Sequence, residues 1–201
     1  MQSTLVLATR NEKKQKELQE LVEGLELRIL ILRDFPDCPE VVENGTTFME
    51  NAQKKAVEIS LHVNGLALAD DSGLEVDALG GKPGVFSARY ARGDRSTDEE
   101  NLQKVLDELR GVPVENRKGR FVCAAVLAEK GQILFSTQKT VEGSITDEPQ
   151  GENGFGYDPI FFYPPYKKTL AEVTAEEKHA VSHRGKALQD VTDFLIRLWT
   201  E

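Results

Sequence analysis

The sequence predicts an α/β fold, a mixed β-sheet flanked by helices on both sides. Three observations predict it. Short apolar runs alternate with amphipathic stretches of helical period in the order β-α-β-α-β. Two apolar-rich runs then face each other across Lys130-Gly131, a hairpin signature. Polar loops interrupt the strands, which predicts a cleft between two lobes. The length of 201 residues suits one domain of two lobes, 1–201.

The elements follow in order. Thr4 to Ala8 reads as a buried strand, and Asn11 as the cap of a helix whose apolar stripe holds Leu18, Leu21 and Val22. Leu27 to Leu32 reads as a second strand, and Phe35 to Gly45, with Pro36 and Pro39 among its acids, as loop. Thr47-Phe48-Met49-Glu50 is a capping box that opens a helix to about His62, stopped by Asn64-Gly65. Leu66 to Ala69 is a short buried strand that ends in Asp70-Asp71-Ser72-Gly73, and Leu74 to Leu79 a further short strand. After the turn-rich Gly80 to Gly84, either Ser96 or Thr97 caps a helix ending near Leu109. The hairpin pairs Phe121–Ala128 with Ile133–Val141, Gly151 to Asp158 is a glycine-rich loop, and Glu176 to Ala180 is one helical turn. His183 to Leu198 is a final helix with Ala187, Val191, Phe194, Leu195 and Leu198 on one face.

Composition excludes several function classes. No apolar run approaches the roughly 20 residues of a membrane span, and residues 1–8 lack a basic leader, so the expectation is a soluble cytoplasmic protein with no membrane partner. The formal charge of −9 repels nucleic acid, which is not expected as a partner. A small polyanion bound with a metal remains compatible, since the metal supplies positive charge. Cys38 and Cys123 are far apart and make no metal-ligand pair, which leaves reduced, buried thiols. His62, at a helix end, reads as structural.

Five constellations carry chemistry. Asp70-Asp71-Ser72-Gly73 follows an apolar strand, where α/β sheets collect ligands, and two adjacent carboxylates need a cation or donors. Glu40 and Glu43 precede the helix begun by Thr47, and oxygen ligands of this kind suit magnesium, which takes one or two carboxylates plus phosphate oxygens. Thr9-Arg10-Asn11-Glu12-Lys13-Lys14 joins a strand to a helix N-terminus, a geometry that presents N–H groups to an anion. In Gly154-Phe155-Gly156-Tyr157-Asp158, a Phe between two glycines is placed to stack on a flat ring. Ser182-His183-Arg184, with Lys178 upstream, suits an anion or a base carbonyl. The glycine order matches neither the dinucleotide fingerprint nor a Walker loop, and no Ser/His/Asp order supports a nucleophilic hydrolase.

In chain order these blocks resemble the inosine triphosphate pyrophosphatase family, the XTP/dITP diphosphatases that remove non-standard purine nucleotides. The matching text is Ala8-Thr9-Arg10-Asn11 with Lys14, Glu50-Asn51-Ala52 with Lys55-Ala56, and Ala69-Asp70-Asp71-Ser72-Gly73-Leu74. It continues through Gly80-Gly81, Pro83-Gly84 and Ser87-Ala88-Arg89-Tyr90 to Gly154-Phe155-Gly156-Tyr157-Asp158-Pro159 and Ser182-His183-Arg184. Lys13 departs from the pattern, where many members carry a small residue.

The resemblance implies a two-lobed, elongated fold, a homodimer, and magnesium-dependent hydrolysis of ITP, dITP or XTP to the monophosphate and pyrophosphate. It implies that Thr9, Arg10, Asn11, Glu12, Lys13, Lys14 and Lys55 serve the triphosphate, that Ser72 also binds substrate, and that Asp71 is the general base. It implies that Asp71 and Glu40, with Glu43 as the alternative partner, hold the metal, and that Phe155, Gly156, Tyr157, Asp158, Lys178, His183 and Arg184 serve the base. Donors such as Arg184 and Lys178 would donate to the O6 of hypoxanthine or xanthine and meet no acceptor at that position of adenine. Two rivals are a Maf-like pyrophosphatase, opposed by the 154–158 and 182–184 blocks, and a nucleotide sensor without turnover, opposed by the Asp70-Asp71 pair.

Overall fold

The structure, a computed structural model, describes residues 3–22, 27–94 and 96–200. Seven strands hydrogen-bond in the order β2-β1-β3-β4-β5-β6-β7. They are β1 (Ser3–Leu7), β2 (Leu27–Ile31), β3 (Leu66–Val76), β4 (Lys118–Glu129), β5 (Gln132–Ile145), β6 (Phe161–Tyr163) and β7 (Lys168–Thr169). The helices are α1 (Glu12–Val22), α2 (Phe48–His62), α3 (Asp98–Glu108), α4 (Ala175–Val181) and α5 (His183–Thr200). The sheet is mixed, as expected: β1 pairs in parallel with β2 and β3, while β5–β6 and β6–β7 are antiparallel. No described helix is long and apolar enough to cross a membrane.

The chain forms two compact units. One contains residues 1–71, 123–139 and 184–201, and the other residues 72–122 and 140–183. In the first, strand alternation sorts side chains to two faces. Leu5, Leu7, Leu66, Leu68, Cys123, Ala125 and Leu127 share a core with Leu18 of α1 and with Ala187, Leu188, Val191 and Leu195 of α5. The intervening Val6, Ala67 and Ala69 are buried too, which is why these strands read as continuous apolar runs rather than alternating ones. In the second unit, Leu102, Val105, Leu106 and Leu109 bury against Leu74, Val76, Phe121, Val141, Tyr157 and Phe161.

Local signals place the helix starts. Asn11 Oδ1 accepts the N–H groups of Lys13 and Lys14 at 3.0 and 3.1 Å. Thr47 and Thr174 build capping boxes with Glu50 and Glu177. Thr97, not Ser96, caps α3; the Ser96 hydroxyl instead accepts the Arg92 N–H. Lys130 and Gly131 both take positive φ, the backbone a two-residue hairpin requires.

Several elements differ from expectation. β3 does not end at Ala69 but runs through Asp70, Asp71, Ser72 and Gly73 to Val76, and Asp77–Leu79 is a turn of 3-10 helix. Polar residues in a strand hide its continuity from an apolar-run criterion. The two strands of the hairpin are each longer than expected for the same reason, and α4 spans seven residues rather than one turn. β6 and β7 were not expected; at three and two residues they are too short to show a period. Leu198 is 46% exposed rather than on the inner face of α5, and Phe194, half-buried, stacks on Phe135. The side chains of Leu21 and Val22 lie outside the described residues. His62 faces Asp37 at 3.5 Å, and both cysteines are free and buried.

Candidate active site

Asp70 and Asp71 define the chemistry of the first unit. β1 ends beside Leu68 of β3, so the carboxylates lie just beyond the C-terminal edge of the parallel β1–β3 pair. The strand-end environment read from the sequence is therefore present, although it is made by β1 stopping and not by β3 stopping. Successive strand residues face opposite ways. Asp70 shares parity with Leu66 and Leu68 and meets α1 and α5, where Lys14 Nζ lies 3.1 Å and Arg184 Nε 3.3 Å from its Oδ2. Arg184 Nη1 also pairs with Glu17 of α1. The order Glu17–Arg184–Asp70–Lys14 alternates sign, and Glu17, Arg184 and Asp70 are buried. Burial alone would raise the Asp70 pKa, but Lys14, Arg184 and Lys55 outweigh it and hold the carboxyl well below the usual range. The same cations and carboxylates surround the Cys123 thiol, which burial pushes up to about 12, so it stays protonated and inert.

Asp71 has the opposite parity and meets α2. Asn51 Nδ2 donates to its Oδ2 at 3.0 Å. Asn51 and Lys55 are four residues apart and therefore share a helix face. Lys55 Nζ pairs with Glu43 Oε1 at 2.5 Å. Burial raises the Asp71 pKa, Glu43 adds to the rise, and Lys14, Lys55 and the Asn51 hydrogen bond oppose it without cancelling it. Lys55 is held in its charged form although burial opposes it, because Asp70, Glu43 and Asp71 surround it. A carboxylate with a raised pKa beside two lysines is suited to taking a proton near a bound anion.

The remaining residues of the 9–14 block sort differently. The buried Thr9 hydroxyl accepts the Asn11 N–H at 3.2 Å and shapes the turn. Arg10 donates to the Cys38 carbonyl at 2.7 Å, Glu12 pairs with Arg33 at 2.6 Å, and the Lys13 side chain is exposed. Glu40 is exposed, whereas Glu43 is half-buried and close enough for Asp71 to feel its charge. The described residues contain no group of three or more His, Cys, Asp or Glu side chains able to hold a metal. Two hard oxygen donors, Asp71 and Glu43, do fit a magnesium ion that completes its shell with phosphate oxygens and water. The raised pKa of Asp71 marks a place where added positive charge is favourable.

The second unit assembles the glycine-rich loop. Gly154 takes φ +73°, and a Cβ there would collide with the Asp158 carboxylate, so glycine is required on both counts. The buried Asp158 accepts the Phe155 N–H and the Lys178 ammonium, each at 2.8 Å. Lys178 Nζ lies 4.7 Å from the centroid of the Phe155 ring. The Gly156 N–H donates to Asp98 at 3.1 Å, and the Tyr157 hydroxyl donates to the Ser87 carbonyl at 2.7 Å. Ser87 in turn accepts the Leu74 N–H and donates to the Gly84 carbonyl. That packing leaves no room for a Cβ at Gly73. Ser72 is half-buried in β3, and His183 stacks on Phe121 at 4.8 Å.

The structure thus brings Lys14, Lys55, Asp71 and Glu43 together, and separately Phe155, Asp158 and Lys178. Arg184, read from the sequence as a partner of the base, lies instead between Glu17 and Asp70. The sequence reading gave no role to Asn51, although it stands in a matching block, and missed Glu17 and Asp98. The spacing Asn51–Lys55 and Lys14–Glu17 on single helix faces was the available signal for the first two; Asp98 carried none.

Comparison with known proteins is consistent along the whole chain. It is 50% identical over 192 residues to the dITP/XTP pyrophosphatase of Geobacter sulfurreducens, covering 95% of this chain and 96% of that one. It is 47% identical over 195 residues to the dITP/XTP pyrophosphatase of Shouchella clausii, covering 97% and 98%. Among solved structures, a HAM1 protein from Coxiella burnetii superposes with a TM-score of 0.87 at 42% identity, covering 97% of this chain and 99% of that one. The Ham1 protein of Staphylococcus aureus gives 0.85 at 36% identity, covering 96% and 98%. The model of the Ham1 family matches residues 5–194, which contain every site residue placed above. With that match and relatives near half identity over nearly its full length, the chain belongs to the Ham1 family.

Proposed function

We propose that this protein hydrolyses non-standard purine nucleoside triphosphates, ITP, dITP and XTP, to the monophosphate and pyrophosphate. The observation that carries the reading is Asp71: a buried carboxyl with a raised pKa, oriented by Asn51, under the influence of Lys14 and Lys55. The curated relatives named dITP/XTP pyrophosphatase support the substrate class.

Lys14 and Lys55 offset part of the triphosphate's roughly four negative charges, which a chain of net charge −9 needs local cations to hold. Asp71, held by Asn51, takes a proton from water as that water attacks the α-phosphorus. The bond from that phosphorus to the α–β bridging oxygen breaks, and pyrophosphate leaves with the electron pair. A magnesium ion held by Asp71 and Glu43, with Glu40 the alternative second ligand, would supply Lewis-acid stabilisation of the charge developing on the phosphate oxygens. Asp70 positions Lys14 through the buried ion chain.

On the base side, the Phe155 ring stacks on the purine, and Lys178, whose ammonium offers three donors, reaches the O6 acceptor. Asp158 fixes both by accepting from Lys178 and from the Phe155 N–H. Adenine, with a donor at that position, presents Lys178 with no base acceptor there. The two units act as lobes of a single domain, 1–201, and the protein works as a cytoplasmic homodimer.

The test is a panel of nucleoside triphosphates with Mg²⁺, assayed separately for pyrophosphate and orthophosphate. Pyrophosphate released from ITP, dITP and XTP far faster than from ATP or GTP is expected. Orthophosphate as first product would replace this reading with a γ-phosphatase.

A further inference from the structure

The Phe155 ring is carried between Gly154 and Gly156, which both take positive φ, a conformation open to glycine but not selected by its own side chain. A stacking surface on such a loop binds well only if something selects one conformation. Two backbone N–H groups of the loop are already engaged. Phe155 donates to Asp158, within the loop itself, and Gly156 donates to Asp98 at 3.1 Å, which lies 58 positions earlier in the chain. The Gly156 amide is therefore directed at a carboxylate of the protein and not at a ligand.

Asp98 is well placed to act as a fixed acceptor. It is the first residue of α3, behind the Thr97 cap, where the positive end of the helix favours a carboxylate. α3 is itself tied down one turn later. The buried Asn101 donates to the Ala88 carbonyl at 3.1 Å and accepts the Ala91 N–H at 2.8 Å. The segment so held also carries the Ser87 carbonyl that accepts the Tyr157 hydroxyl. Consecutive residues of the glycine-rich loop, Gly156 and Tyr157, are thus anchored to α3 and to the segment α3 holds.

We propose that Asp98 is a positioning residue for purine binding, fixing the loop that presents the Phe155 ring through its hydrogen bond to the Gly156 N–H. The proposal rests on the purine-nucleotide reading above. A charge-assisted hydrogen bond lost from this loop corresponds to roughly a tenfold change in affinity.

The experiment is a double-mutant cycle between Asp98→Ala and Phe155→Ala in the full-length protein. It is read by kcat and KM for pyrophosphate release from ITP, by calorimetric binding of IMP, and by thermal midpoint. Asp98→Ala is expected to raise KM and the IMP Kd about tenfold while kcat stays within about twofold. Asp98→Asn should recover most of the loss, because the carboxamide oxygen accepts the same N–H. In the Phe155→Ala background, removal of Asp98 should add almost nothing. Glu99→Ala, an exposed acid of the same helical turn, controls for the helix and should leave KM unchanged. An equal effect of Asp98→Ala with and without the ring, or a fall in kcat at constant KM, overturns the proposal. A wild type that binds IMP without hydrolysing ITP sinks the catalytic reading alone, and the binding arm still decides the role of Asp98. A wild type that binds no purine nucleotide overturns both.

Discussion

Asp70 and Asp71 are consecutive in sequence and opposite in environment: Asp70 meets Lys14 and Arg184 on one face of β3, and Asp71 meets Asn51 on the other. The first carboxyl is held well below its ordinary pKa and the second above it. In the proposed reaction two like side chains set apart in this way divide the work: Asp70 would serve as the anion that organises Lys14 and Arg184, and Asp71 as the proton acceptor.

Asp71→Asn should leave nucleotide binding intact and lower turnover by about 10²–10⁴-fold, the range for loss of a general base. Calorimetric binding of ITP measures the first quantity and pyrophosphate release from ITP the second. Full turnover in this variant would remove Asp71 from the role of base.

The Asp71 titration has a defined sign. In the metal-free protein its midpoint should lie above the ordinary 3.8. Glu43→Gln removes a contribution that raises it and should move the midpoint down. Lys55→Met removes a cation that lowers it and should move the midpoint up. Carboxyl NMR of each variant reads the shift directly; a wild-type midpoint at or below the ordinary value would contradict the buried geometry.

Acid stability should follow Asp70 in the reverse sense. Its folded pKa is lowered, so its contribution is fully present above the ordinary carboxyl pKa and is lost as pH falls through the folded value. Lys14→Met raises that folded value, and acid unfolding followed by circular dichroism should begin at higher pH. Asp70→Asn leaves Lys14 and Arg184 without their shared anion and should cost about 3–5 kcal/mol in denaturant unfolding at neutral pH.

Chelation should abolish turnover without moving the thermal midpoint. The described residues contain no group of three or more His, Cys, Asp or Glu side chains able to hold a metal, and the proposed magnesium ion, sharing its shell with substrate phosphates, is expected to contribute to substrate binding and not to folding. A midpoint that drops on adding chelator would reveal a structural metal instead.

Phe155→Ala should weaken IMP, GMP and AMP binding by a similar factor, about tenfold, because stacking depends on a π-face that every purine has. Lys178→Met should instead erode the preference for ITP over ATP, since it removes a donor and not a surface. Kd values across the three monophosphates separate the two effects.

The sequence by itself determined the mixed α/β class, the capped helix starts at Asn11, Thr47 and Thr97 or Ser96, the hairpin turn at Lys130-Gly131, and the blocks that hold Asp71, Lys14, Lys55 and Phe155. These are local: periodicity, caps and turn chemistry act within a few residues. Only the tertiary structure decided that β3 runs on through its acidic residues, that Arg184 lies between Glu17 and Asp70, and that Glu43 is felt by Asp71. It alone decided that Asp98 takes the Gly156 N–H. Each of these is a choice among polar partners far apart in the chain. Sequence spacing carries no record of which carboxylate meets which cation, because burial and distance set that energy, and both exist only once the strands and helices have packed.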